Sequence, residues 1–516
     1  MLMQTLWLLA ALLTAQDAGV QADYVIEQVE IHDGSGGEAR QGDLAIRGDR
    51  LVAIGKFAVA GQPRRIDGTG LIAAPGFIDV HTHCDSGITK EKTRINKNYL
   101  TQGVTTVVTG NCGGGPLDIA KFLRDVDDGG TGTNVAHLIP HGAVRSKAMG
   151  SAKRPPTPAE LDVMRQLVDQ GMRDGAWGMS TGLIYPPSSY AETDELVDLS
   201  RVIGRHGGLY VSHIRSEGVE LLKAVGEAIE IGKRAGVPAH ISHFKASGPA
   251  AWGLATNAIG LVQAARDGGQ IVTADQYPYI ASSTSLSAMV MPDEYRGKKA
   301  LTEALADPQQ AARVRERLAK NIETRSSAAS LVIASYAPDR TFHGKNLAEL
   351  AQQRNCTVVD LVLEIEQKGG ARMVNFGMQE EEVRRIMQQP FVSTASDGGA
   401  CVPDVTVPHP RNYGCFPRKI GRYAIELNVV PLAAAIRSAT GLPADTFKFP
   451  QRGYLREGYF ADVVVFDPKI FRDTATFEKP HQYATGVCYL FVNGRLAIDG
   501  GQVTGQLAGR ALRHQP

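Results

Sequence analysis

The chain has little cysteine and no Cys-x-x-Cys pair: its six cysteines are scattered at Cys84, Cys112, Cys356, Cys401, Cys415 and Cys488. That density excludes a disulfide-built scaffold. Cys401 and Cys415 are a candidate disulfide if the protein is exported, and unpaired thiols packed as small hydrophobes are the default for the rest. No charge of one sign predominates. Lysine and arginine number 55 against 54 acidic residues, a formal net charge of +1, and neither sign forms a long run. Nucleic acid and an anionic membrane surface are therefore not expected partners. Beyond the first residues, no apolar run approaches the roughly 20 residues that span a bilayer. There is also no fixed-period repeat and no low-complexity segment.

What is present is enough chain for a large core, 516 residues, and 56 glycines, about 11% against a usual ~7%. The excess suits a fold with many tight strand-to-helix turns. At the start, the apolar run Leu6 to Thr14 precedes the small-residue ending Val20-Gln21-Ala22, although no lysine or arginine comes before it. This reads as a secretory signal peptide over 1–22 and implies an exported, periplasmic or secreted protein; the plainer reading is a disordered or weakly helical N-terminus on a cytoplasmic protein.

Both ends of the remaining chain are β-rich. Tyr24–Ile31, Gly42–Ile46 and Leu51–Ile54 near the start, and Ala461–Asp467 and Cys488–Leu496 near the end, read as strands, with Asn493-Gly494 a hairpin signal. One small β-sandwich assembled from 23–72 and 436–516 accounts for them. Between these, eight apolar runs alternate with amphipathic helical stretches. The runs are Ile72–Val80, Val104–Thr109, Val135–Ile139, Trp177–Leu183, Leu209–Val211, Ala239–Ser242, Gln270–Ala274 and Phe391–Ala395. The clearest helices are Pro158–Met172, Glu192–Gly204, Glu217–Arg234 and Leu254–Arg266. The expected fold is α/β, a closed (β/α)8 barrel over 73–435, with a doubly wound open sheet as the alternative. A charged helical insertion at about 290–390 separates the seventh and eighth strands and is placed to cover the barrel mouth.

Histidines gather where these strands end. In Gly76-Phe77-Ile78-Asp79-Val80-His81-Thr82-His83, the two imidazoles share a face by strand alternation and can chelate one divalent metal; the plainer reading is two hydrogen-bonded histidines. His213 and His243 each close a strand. His240 has the opposite parity to His243, is expected to face away from the barrel axis, and is left out of the site. Cys112 lies in Thr109-Gly110-Asn111-Cys112-Gly113, just past the second strand, where a thiolate is a good zinc ligand. Asp397, in Ser396-Asp397-Gly398 past the eighth strand, is a candidate general base.

Together these stretches resemble the amidohydrolase superfamily, and within it the D-aminoacylase (N-acyl-D-amino-acid deacylase) family. The resemblance runs over nearly the whole chain. It also takes in W-G-M-S-T-G-L-I-Y-P-P, S-H-I-R-S-E-G, I-S-H-F-K, D-Q-Y-P-Y, His409-Pro410-Arg411-x-Tyr413-Gly414 and the closing Gly458, Ala461 and Asp462. It implies that Cys112, His213 and His243 hold a tightly bound zinc. His81 and His83 would form a second, weaker metal position that Asp397 can join. Asp397 would serve as general base and acid, and Lys245, Tyr277 and Arg411 would bind the substrate α-carboxylate. Relatives that bridge two metals with a carboxylated lysine carry it on the fourth strand. Trp177–Leu183 has no lysine, which favours the D-aminoacylase branch.

The implied substrate is a small N-acyl-D-amino acid. Ser285–Pro292 has no basic residue, and its apolar Leu286, Met289 and Met291 suggest neutral or hydrophobic side chains. Hydrolysis of cyclic amides, cyclic imides or dipeptides on the same site is the alternative. A catalytically dead binding protein is disfavoured because every ligand and base position is filled. A non-hydrolytic enzyme is disfavoured because no dinucleotide fingerprint or phosphate-binding loop occurs.

Overall fold

A computed structural model describes residues 19–515; the run Leu6–Thr14, on which the leader reading rests, lies outside the described residues. Val20–Gln21 forms a short strand against Val59–Ala60. Among the described residues, no helix is long and apolar enough to cross a membrane.

Eight parallel strands make the barrel. They are β1 (Phe77–Asp79), β2 (Val104–Thr109), β3 (Asn134–His137, continued by Ile139–Pro140), β4 (Gly178–Gly182), β5 (Leu209–His213), β6 (Ala239–Ile241), β7 (Val272–Gln276) and β8 (Val392–Thr394). Each pairs in parallel with the next. Closure comes from a parallel bridge between Thr82 and Gly398, where the Asp397 amide donates to the His81 carbonyl at 2.8 Å. The strands are buried on both faces, as a parallel sheet wrapped by helices requires. Helix Pro158–Arg173 shows why the wrap forms. Thr157 and Glu160 make a reciprocal capping box, and Met164, Val168, Gly171 and Met172 bury one stripe at i, i+4, i+7 and i+8. Burying each larger side chain contributes about 1.5–3 kcal/mol.

Inside the barrel, Ile78, Val80, Val108, Ala136, Leu138, Val211 and Ala395 pack over Phe447 and Phe449, which stack at 5.6 Å. Phe447 ends the helix Gly441–Phe447, so this segment closes the barrel floor. The terminal strands resume at Val463.

The strands from both chain ends form one hydrogen-bonded sheet of nine strands, in which Val463–Phe466 pairs antiparallel with Ile72–Pro75. The expected strand Ile72–Val80 therefore divides at Gly76: its first half belongs to the terminal sheet, its second to the barrel. A Cβ at Gly76 would lie 2.3 Å from the Thr105 side chain, so only glycine permits this crossing. The expected Asn493-Gly494 turn joins Val487–Val492 to Arg495–Asp499, with φ of 49° and 75°.

Between β7 and β8 lies the insertion, and here the helical expectation is corrected. Helices Lys298–Ala306, Pro308–Arg325, Leu347–Gln353 and Val358–Gln367 accompany a three-stranded antiparallel sheet of Ser282–Ser285, Arg372–Asn375 and Leu331–Ser335. The first strand, Ser-Ser-Thr-Ser, carries no apolar alternation and is held only by pairing with its neighbour. Leu286, Met291, Val314, Leu318, Ile333, Leu361 and Met373 give the insertion its own core. All six cysteines are free thiols, which removes the Cys401–Cys415 disulfide; Cys415 lies instead in the helix Arg411–Pro417 and donates to the Arg411 carbonyl at 3.3 Å.

Candidate metal centre and its pocket

The ligand candidates converge at the mouth of the barrel where the strands end, although three of them need unusual backbone. Cys112, His243 and Asp397 have φ of 54°, 37° and 51°, in the left-handed region that costs a non-glycine residue about 1–3 kcal/mol. His243 shows what the strain achieves. Regular alternation after β6 would send it outward with Ala239 and Ile241, which pack against the helices. The chain leaves the strand at Ser242 and turns the imidazole inward instead. The reading of His240 is corrected by the same fact. It faces the barrel interior, with Nε2 2.9 Å from Asp275 Oδ2 and Nδ1 2.8 Å from Thr273 Oγ1, one layer beneath the site.

Cys112 Sγ stands 3.4 Å from His81 Nε2, 3.5 Å from His213 Nδ1 and 3.9 Å from His243 Nε2. His213 Nδ1 and His243 Nε2 are 2.8 Å apart. Asp397 Oδ1 lies 3.6 Å from His81 Nε2 and 3.1 Å from His83 Nε2. The structure thus brings together all six residues expected to bind metal. Ligand atoms of His81, Cys112 and His243 lie within 4.8 Å of one another, as do those of His81, His83 and Asp397. One thiolate with imidazoles and a carboxylate is a donor set that suits zinc. Burial alone would keep the Cys112 thiol protonated, but the imidazoles around it hold its pKa well below the usual thiol value. Burial likewise opposes the Asp397 carboxylate, yet Arg411 Nη1, 2.8 Å from Oδ2, and the neighbouring imidazoles hold it well below the usual range.

Several supporting acids and bases escaped the reading of single positions. Asp275, on β7, accepts from the His243 amide at 2.8 Å and lies 3.2 Å from His81 Nδ1. Its parity with Thr273 on an inward face was the available signal. Glu217, in the S-H-I-R-S-E-G stretch, sits 2.7 Å from His243 Nδ1 and pairs with Lys245. Asp79 accepts from the amides of His81 and Ser396, and burial pushes its pKa up to about 7 against those bonds. On the opposite wall, His141 bridges Ser188, at 2.9 Å, to Glu195, at 3.0 Å, and Glu195 pairs with buried Arg145.

The three expected carboxylate anchors line the same cavity of about 610 Å³. Arg411 lies 4.9 Å from the Tyr277 ring centroid and donates to the Ser283 carbonyl at 3.1 Å; Lys245 lies 5.5 Å from the same ring. Tyr277 Oη is buried without a partner, a donor aimed into polar surroundings. The apolar strip expected to meet the substrate does not line this cavity. Leu286 and Met291 are sealed in the insertion's core, and Met289 borders a neighbouring cavity. Arg372, from the insertion's sheet, stands on the cavity wall instead.

Residues 64–498 match the family model Amidohydro_3, the amidohydrolase family. The chain is similar to the D-aminoacylase of Alcaligenes xylosoxydans xylosoxydans, 36% identical over 504 residues that cover 93% of this chain and 95% of that one. It is also similar to the N-acyl-D-aspartate deacylase of the same organism, at 34% over 526 residues, 97% of this chain and 96% of that one. The solved structure of N-acyl-D-glutamate deacylase from Bordetella bronchiseptica, complexed with zinc and a phosphonate inhibitor, superposes with a TM-score of 0.82 at 31% identity, covering 96% of this chain and all of that one. The chain belongs to the amidohydrolase family, and within it to the D-aminoacylase group, as a hydrolase of amide bonds.

Proposed function

We propose that the protein hydrolyses the amide bond of N-acyl-D-amino acids with zinc, releasing a carboxylate and a free D-amino acid. One observation carries this reading: the thiol, imidazole and carboxylate cluster shares a single cavity with Lys245, Tyr277 and Arg411. Cys112, His213 and His243 would hold the tight zinc, and His81 and His83, joined by Asp397, a weaker second ion. Zinc bound there supplies a Lewis acid for the acyl carbonyl and an acidified water at neutral pH. Asp397 takes the proton from the attacking water and returns it to the departing amine. Arg411 couples binding to that step. A substrate carboxylate that shares its guanidinium loosens the ion pair with Asp397, raising the basicity of the carboxylate where it is needed. Lys245 is anchored by Glu217, so its ammonium is held in place before substrate arrives. Two separated anchors, the α-carboxylate and the acyl carbonyl, fix which way the side chain points and so select one enantiomer.

In this reading the sheet from both termini is a β-sandwich domain that supports the barrel, and the insertion covers the barrel mouth. The test is hydrolysis of paired N-acetyl-D- and N-acetyl-L-amino acids (alanine, methionine and glutamate) by zinc-loaded protein, with metal measured on the same sample. Cleavage of D-substrates alone is expected. Zinc-replete protein that cleaves a cyclic imide or a dipeptide, but no N-acetyl-D-amino acid, would overturn the proposal.

A further inference from the structure

Not every charge lining the cavity is paired. Lys245 is paired with Glu217, and Arg411 with Asp397. Arg372 is different: among the described residues no carboxylate reaches ion-pair distance of its guanidinium. Its position is built, not incidental. It begins the strand Arg372–Asn375, the middle strand of the insertion's sheet, opposite Ser285. Met373, on the other face of the pleat, is sealed in the insertion's core, so alternation turns Arg372 to the barrel side along with Val374. Two residues back along the paired strand, about 7 Å, the Ser283 carbonyl receives Arg411. Arg372 therefore stands on the cavity wall just beyond the expected α-carboxylate site.

What surrounds it is polar. Ser282, Ser283, Thr284 and Tyr185 line the same wall, while the adjoining cavity carries Asn321 and Asn375 beside Ala288 and Met289. Arg372 is exposed to the open cavity while the rest of its strand is buried. An apolar side chain placed against it would desolvate the cation without a partner. A carboxylate would pair with it through charge-assisted hydrogen bonds.

We propose that Arg372 is a specificity-determining residue that binds a second carboxylate, so that the favoured substrates are N-acyl derivatives of D-aspartate or D-glutamate. This rests on the deacylase reading above and replaces the expectation of neutral side chains. The experiment compares kcat/KM for N-acetyl-D-glutamate, N-acetyl-D-aspartate and N-acetyl-D-methionine in wild type and Arg372→Met. Equilibrium binding of the products D-glutamate and D-methionine to the same zinc-loaded proteins is measured in parallel. Wild type should prefer an acidic substrate at least tenfold. Arg372→Met should lose at least tenfold on the acidic substrates, mainly through KM, and on D-glutamate binding, with the methionine compounds within twofold. A wild-type preference for methionine, or equal losses on acidic and neutral compounds, would overturn the assignment; the latter would place Arg372 at the α-carboxylate. Absence of all D-substrate hydrolysis would instead sink the deacylase reading, and the binding comparison would still decide Arg372.

Discussion

Replacing Asp275 with asparagine changes almost no volume, yet it should strip the metal position that His81 serves of much of its affinity for zinc. The carboxylate is 1% exposed and serves three groups. Oδ2 faces His81 Nδ1 at 3.2 Å and His240 Nε2 at 2.9 Å, while Oδ1 accepts from the His243 amide at 2.8 Å. An amide has only one acceptor oxygen. With its oxygen at the Oδ1 position, its NH2 faces both imidazoles, and His81 must move its proton from Nδ1 to Nε2. That nitrogen, 3.4 Å from Cys112 Sγ, then has no lone pair for a metal. With its oxygen at the Oδ2 position, two buried donors confront each other at the His243 amide. Each arrangement loses a hydrogen bond to a charged group, worth about 1.5–3 kcal/mol. Loss of such a partner to a ligand histidine typically weakens metal binding about 10–100-fold, or about 1.4–2.7 kcal/mol. Competition for zinc against a chromophoric chelator measures this, with circular dichroism confirming that the variant is folded. A folded Asp275→Asn protein that binds zinc within twofold of wild type would refute the orienting role.

Other perturbations have equally definite outcomes. Asp397→Ala should keep its tight zinc while kcat falls about 10²–10⁴-fold; near-normal turnover at full zinc content would remove Asp397 from the proton transfer. Lys419 is buried, donates to the Met387 carbonyl at 3.0 Å, and is held down to about 7 by burial. Between that value and its unfolded value of about 10.4, only the unfolded chain holds the proton, so stability rises with pH through this window, and below pH 7 the full penalty applies. Lys419→Met should therefore stabilise by on the order of 3–5 kcal/mol at pH 6, and by less than half of that at pH 9.5, in denaturant unfolding. An equal gain at both pH values would contradict the argument. Buried Arg452 pairs with Asp462, whose carboxylate also accepts from the Asn493 amide at 2.7 Å and from Asn134 Nδ2, on β3, at 3.2 Å. Arg452→Met leaves that carboxylate uncompensated and should destabilise by about 3–5 kcal/mol; a loss below about 1 kcal/mol would show that the network between terminal sheet and barrel contributes little.

The amino-acid sequence by itself determined the barrel and where its candidate ligands gather. Runs such as Val104–Thr109 are β-branched and uncharged throughout because each barrel strand is covered on both faces, and that pattern survives in one dimension. His81, His83, Cys112, His213, His243 and Asp397 were legible because a strand end followed by glycine or a polar turn marks the barrel's C-terminal mouth. Only the tertiary structure decided the rest. Alternation misjudged His240 and could not foresee the inward turn of His243, because a single left-handed residue cancels a strand's parity and local propensity does not announce it. The sheet of the insertion was invisible for a related reason: Ser282–Ser285 is extended only because Arg372–Asn375 pairs with it from about ninety residues away. The same pairing turns Arg372 to the cavity and seals Leu286 and Met291 away from it. Residue types near a site can be read along the chain, but which of them face it depends on long-range pairing, and that exists only once the chain has folded.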